Sequence, residues 1–211
     1  MKPLPSSYDH GTMTIADVAA ESRGGMSRHA GALPSPDRLN LTIEDLPPGF
    51  TQSMCELRDN ETAATALRRS AVQLDSDGRV LTSRVAFQSD SLAVTEIVSE
   101  VVSYRLTRQA REGFRRTAES LGRDLAAVRP DWLVTPTAVA PVGRAYTGLS
   151  AYGTTDGLDT VLYLVRFFRS LHVASVTVFA DAGLVDVAVL DELARRIDTR
   201  IKAHTARLNA E

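Results

Sequence analysis

Four histidines, one cysteine and a run of arginines are the side chains of this chain that could do chemistry. No two of His10, His29, His172 and His204 stand at the i, i+4 spacing that presents two imidazoles to one zinc ion. His10 and His29 fall in a segment that does not supply the partners a metal needs. His172 reads as an edge or turn residue at the entry to a core strand. His204 reads as a cation in the last turn of a final helix, where positive charge suits the dipole. No metal site and no cofactor is expected. Cys55 has no histidine near it in sequence, and a lone cysteine reads first as a small hydrophobe. Gly148-Leu149-Ser150-Ala151-Tyr152-Gly153 is similar to a nucleophile elbow, but it is one residue too long for G-x-S-x-G and no helix follows it. A hydrolase built on Ser150 or Cys55 is therefore the weakest functional reading, and no catalytic residue is assigned. Asp75-Ser76-Asp77-Gly78 opens like a calcium loop, yet Ala86 stands where the twelfth-position glutamate belongs.

The arginines are more informative. Only Lys2 and Lys202 are lysines among the 24 basic residues, and a genome rich in G and C accounts for that bias most simply. Arg108, Arg111 and Arg115 nevertheless share one face of an expected helix, with Arg105 just before it and Arg116 and Arg123 adjacent. Glu112 and Glu119 lie three or four residues from several of them, as in a solvated helix laced by weak ion pairs. The alternative is a surface for an anion or an acidic partner, since guanidinium forks match carboxylate and phosphate. A second candidate is a ligand pocket using the aromatic residues Trp132, Tyr146 and Tyr152 between a sheet and the irregular Asp131–Gly153 segment.

Hydrophobic periodicity supplies the elements that must position these groups. Phe114, Ala118, Leu121, Leu125 and Val128 follow at spacings of 4, 3, 4 and 3, which predicts a helix over about Arg108–Val128 with Thr107 as N-cap, ended by Arg129-Pro130. Val72 and Leu74 before Ser76-Asp77-Gly78 predict a hairpin into a strand at Val80–Gln88, and Ile97–Leu106 a third strand. Asn60–Ser70 reads as a short helix and Val142–Tyr152 as a further strand. After a turn at Thr155-Asp156-Gly157, two strands over Leu158–Phe168 and His172–Ala180 precede a helix over about Val187–Ala203, with Asp186 as N-cap. Val161, Tyr163, Val165 and Phe167 alternate with Leu162, Leu164 and Phe168, so the first of these strands is apolar on both faces and belongs inside a covered sheet. The order βββ-α-βββ-α predicts an α+β fold: a single, mostly antiparallel sheet with helices packed on it.

With 211 residues, 44% hydrophobic and 24% charged, the chain suits one globular domain plus a tail. Residues 1–40, rich in Ser, Gly and Pro, are expected to be a flexible tail or linker, with the domain over 41–211. A net charge of −2 argues against nucleic acid as a partner. No stretch approaches 18 apolar residues, so no transmembrane segment is expected. The first 40 residues lack the pattern of a signal peptide, which leaves the compartment open: extracytoplasmic if a signal lies upstream of this start, otherwise cytoplasmic.

One resemblance runs through the same residues. Asp45-Leu46-Pro47-Pro48-Gly49-Phe50 is similar to the opening of uncharacterised bacterial proteins with a PsbP-like α/β/α sandwich. So is a long strand ending in Tyr104-Arg105, followed by a helix with the step from Ala110 to Phe114. The pair Val165-Arg166-Phe167-Phe168-Arg169 and Val173-Ala174-Ser175-Val176-Thr177-Val178, leading to the helix Leu190–Ile201, completes the likeness over about residues 42–204. These relatives turn the late hairpin through Gly-Asn, where this chain has Ser170-Leu171. The resemblance implies a PsbP-like sandwich, often secreted or lipid-anchored, and no shared enzyme activity. The functional expectation is a non-enzymatic binding or protein-interaction domain for a small molecule or protein partner. The alternative is a structural or assembly subunit, a homo-oligomer among its forms, tethered by the N-terminal tail.

Overall fold

Seven strands form one sheet in a computed structural model that describes residues 35–62, 71–90 and 93–208. The strands are β1 (Thr51–Arg58), β2 (Arg79–Gln88), β3 (Val94–Tyr104), β4 (Leu133–Pro136), β5 (Ala145–Thr155), β6 (Leu158–Arg169) and β7 (His172–Asp181). Their order across the sheet is β1-β2-β3-β7-β6-β5-β4, and every neighbouring pair is antiparallel. Helices α1 (Ala71–Ser76), α2 (Thr107–Val128) and α3 (Ala188–Leu208) connect or follow them. The fold is α+β, a single antiparallel sheet with helices packed against it.

Several local expectations are corrected. Residues 71–76 are helical, not the first arm of a hairpin; two apolar residues two apart do not separate a strand from a helical turn. The partner of β2 is instead β1, a polar edge strand. Leu106, not Thr107, precedes α2, and its apolar side chain makes no cap. Residues 60–62 are helical, and the rest of the helix expected there lies outside the described residues. Within the segment expected to be irregular, β4 pairs with β5. The Asp156-Gly157 turn forms as expected, with φ of 52° and 83°, the left-handed pair that a tight hairpin requires.

The two faces of the sheet are covered by different elements. Val165, Phe167, Val176 and Val178 pack with Leu190, Leu193, Ile197 and Ile201 of α3. On the opposite face Val102, Tyr104, Phe168 and Val173 pack with Ala110 and Phe114 of α2. A smaller cluster of Trp132, Ala151 and Leu162 lies under Leu125. Strand β6 therefore contributes to both cores, as its double apolar pattern requires. The expected boundary at Leu41 falls too late. Residues 36–39 form a 3-10 turn, and Leu39 and Asn40 are buried, because this segment plugs the α3 face beside Leu41 and Phe50. Residues 1–34 lie outside the described residues.

Helix α2 crosses its face obliquely. A Cβ on Gly113 would lie 2.4 Å from the Tyr104 hydroxyl, the Phe114 and Phe168 ring centroids are 6.4 Å apart, and Gly122 approaches Leu149. The helix thus starts over the end of β3 and finishes over β5 and β4. Trp132 has a comparable close contact: a Cβ on Gly153 would come within 2.3 to 2.5 Å of the indole ring. Arg129 lies over that ring at 5.1 Å, and the ring is buried among Ala151, Leu162 and Leu125, so it cannot yield. Gly153→Ala is expected to destabilise by about 2 kcal/mol. Because Trp132 is the sole tryptophan, a shift of its emission alongside the lowered melting temperature will locate the damage; unchanged emission and stability would refute this packing.

Candidate functional site

The start of α2 carries the arginines singled out by sequence, and the structure opens a cleft of about 400 Å³ there. Ser76 and Asp77 line one side; Arg108, Gln109, Arg111, Glu112 and Arg116 line the other. Gly78 makes this proximity possible. Its φ of +78° turns the chain from α1 into β2, its carbonyl accepts the Arg105 N–H at 2.9 Å, and the side chain of Gln109 sits where a Cβ would be.

Neighbouring carboxylates engage some arginines and leave others. Arg115 donates to Glu112 at 2.8 Å and to Glu119 at 3.0 Å, the i−3 and i+4 partners. Its hydrogen bond holds the Glu112 carboxyl below its usual range. Arg116 pairs with Asp77 at 2.9 Å across the cleft, and Arg105 pairs with Asp75. Arg108 and Arg111 make no ion pair or side-chain hydrogen bond among the described residues, and both are exposed. The expected triad is thus divided: Arg108 and Arg111 face the cleft, whereas Arg115 is held in an exposed ion-pair ladder that contributes little stability. Spacing alone could have shown this, because Glu112 and Glu119 bracket Arg115.

The aromatic trio is not brought together. Trp132 packs on the α2 face, while Tyr146 and Tyr152 pair with Phe167 and Val161 and therefore project from the α3 face. Both tyrosines are exposed, and the Tyr152 hydroxyl lies 3.5 Å from that of Tyr163. This pair pushes the Tyr163 phenol up to about 12.

The candidate nucleophiles sit in unhelpful surroundings. Ser150 is buried in mid-strand, at 3.0 Å from Thr135 Oγ1 and accepting from Thr137 Oγ1 at 2.6 Å. No imidazole or carboxylate is among its partners in the described residues. Cys55 lies on edge strand β1, where burial of the sulfur and the nearby Asp37 and Glu56 charges push its thiol up, away from thiolate. His172 is not an edge residue. It is 2% exposed, its Nδ1 lies 3.1 Å from Ser103 Oγ, and burial together with the neighbouring His204 pushes its pKa down to about 4. His10 and His29 lie outside the described residues. Among the described residues no three His, Cys, Asp or Glu side chains gather to hold a metal ion, and no helix is long and apolar enough to cross a membrane.

Comparison with known proteins bears on the fold alone. No family model matches the chain, and no curated protein matches it in sequence. Among solved structures it is similar to the extracellular domain of PknH from Mycobacterium tuberculosis, with a TM-score of 0.54 and 8% sequence identity. The likeness covers 78% of this chain and 93% of that domain, so it extends over most of the chain rather than a local motif.

Proposed function

We propose that this chain is a non-enzymatic binding domain that takes an acidic protein partner in the cleft at the start of α2. One observation carries the reading: Arg108 and Arg111 face an open cleft without a carboxylate partner among the described residues, while the arginines around them are engaged. Unpaired guanidinium forks on an exposed rim raise the on-rate and set the specificity for a partner of opposite charge. Asp77 and Glu112 on the same cleft disfavour a dense polyanion and favour a partner with spaced carboxylates. The structural neighbour is an extracellular domain, which supports placing this domain outside the cytoplasm as well. The PsbP-like resemblance of residues 42–204 belongs to the same reading.

The test is titration with a glutamate-rich peptide. The native chain is expected to bind in a salt-dependent manner, and the Arg108→Glu/Arg111→Glu variant to bind roughly tenfold or more weakly with an unchanged melting temperature. Equal binding by the variant would overturn the proposal. A second reading, self-assembly, is favoured by Leu133 and Tyr152, which are paired and exposed beside the sheet edge at β4. A mass equal to one chain at high concentration would remove it.

A further inference from the structure

The arginine cleft has a counterpart at the other end of the sheet. Strands β5 and β6 are joined by Asp156 and Gly157, whose φ of 52° and 83° make a tight two-residue turn. The register sets this tip apart from the cleft. Leu158 pairs with Thr155 at the tip, whereas Arg169 at the far end of β6 pairs with His172, which pairs in turn with Ser103. Ser103 lies beside Tyr104, at the end of β3 from which the chain enters α2. A strand of 12 residues spans about 40 Å, so a tip does not reach the cleft of its own chain.

The tip is acidic and open. Asp156, Leu158 and Asp159 are exposed, Leu158 by 66%, and neither carboxylate has a hydrogen bond or ion pair among the described residues. Asp181 stands opposite Thr160 at the same end, and Asp186 follows in the connection to α3. Residues 153–160 and 181–187, which build this end, include no Arg or Lys to neutralise the four carboxylates. The cleft presents the converse. Arg108 and Arg111 are exposed there, three residues apart on one helix, and Leu106 just before α2 is 45% exposed. Two guanidinium forks and an open leucine at one end thus match two carboxylates, also three residues apart, and an open leucine at the other. Because the turn holds its aspartates on paired backbone before any contact, little ordering remains to be done on binding. Asp77 and Glu112 limit the cleft to spaced carboxylates, and a hairpin carrying two of them meets that limit.

We infer that the acidic partner of the cleft is a second copy of this chain, whose β5–β6 tip sets Asp156 and Asp159 on Arg108 and Arg111 and Leu158 on Leu106. The inference rests on the cleft being a site for an acidic partner and names that partner. The two surfaces differ and lie at opposite ends of the sheet. Each contact therefore leaves one cleft and one tip free, and copies add head to tail instead of closing as a two-fold pair.

Sedimentation of the full chain in low salt tests this. The mean mass is expected to rise above that of one chain between about 10 μM and about 1 mM, and to fall back in about 0.5 M salt. Two variants block one surface each: Arg108→Glu/Arg111→Glu the cleft, Asp156→Asn/Asp159→Asn the tip. Asn-Gly keeps the turn, since Asn tolerates the left-handed conformation, and all four side chains are exposed, so unchanged melting temperatures are expected. Each variant alone is expected to associate at least tenfold more weakly than the native chain. Mixed in equal amounts, the two are expected to form a pair and stop there, because only one intact cleft and one intact tip remain. A native chain that stays single at about 1 mM, native-like association by either variant, or growth of the mixture past a pair would each overturn the inference. Association that both variants retain would place the contact elsewhere, as at Leu133 and Tyr152. The glutamate-rich peptide separates the two claims: a native chain that binds the peptide yet stays single keeps the cleft and loses the second copy, and one that does neither loses both.

Discussion

Folding stability is expected to fall by roughly 3 kcal/mol between neutral pH and pH 4, with His172 as the cause. The imidazole is buried at the head of the central strand β7, where its cross-strand neighbours are Ser103 and Arg169. Arg169 is engaged by Asp198, which also pairs with Lys202, and no carboxylate among the described residues pairs with the His172 ring. His204 on α3 adds repulsion once charged. The folded pKa is therefore about 4, against 6.5 for an unhindered histidine. Between those values the unfolded chain binds a proton that the folded chain refuses, so stability is full above pH 6.5 and is lost as the pH falls toward 4. Below that both states are protonated and this contribution ends. Asp45 acts in a separate window. Burial alone would push its carboxyl up, but hydrogen bonds from Arg200 and the Thr42 N–H outweigh this and lower it below 3.8, so its loss comes at more acidic pH. Urea unfolding at pH 7.5, 6, 5 and 4 will show the slope. His172→Gln, which retains a partner for Ser103, should flatten it; an unchanged slope in that variant would refute the assignment.

How far the sequence discloses this molecule depends on whether a residue's environment is set by its neighbours in the chain. Helix α2 is legible because Phe114, Leu121 and Leu125 recur with the helical period, and β6 because Leu162 and Phe168 alternate with Val165 and Phe167. Strand β1 is not: Glu56 and Arg58 break any alternation, since an edge strand needs little apolar surface. The burial of His172 follows from where α3 lands, which no local pattern encodes. The arginine cleft is half legible. Helical spacing places Arg108 and Arg111 together, but Ser76 and Asp77 join them only through the left-handed turn at Gly78. The opposed faces of Trp132 and the two tyrosines depend on the register of β4 against β5.

The same distinction sets the second large effect, at Asn40, in a stretch whose composition suggests a loose tail. Its side chain is fully buried. The amide nitrogen donates to Ser83 O at 3.1 Å and Ser83 Oγ at 3.0 Å, and more weakly to Ser99 O at 3.4 Å. The amide oxygen accepts from the Leu41 N–H at 2.9 Å and from the Ser99 hydroxyl. The backbone carbonyl of Asn40 accepts from Arg200, which continues to Asp45 at 2.7 Å. One side chain therefore pins the N-terminal segment to β2 and β3 while its backbone ties the same segment to α3. Asn40→Ala leaves two serine hydroxyls and a backbone N–H buried without these partners, at a cost of about 4 kcal/mol. Asn40→Asp is expected to cost at least as much, because it aims a buried carboxylate at the Ser83 and Ser99 carbonyls. A chain beginning at Leu41 should show the same loss plus that of Leu39, which is 3% exposed. Urea unfolding of the three variants checks this. If Asn40→Ala stays within about 1 kcal/mol of the native chain, the segment is not the clasp its hydrogen bonds describe.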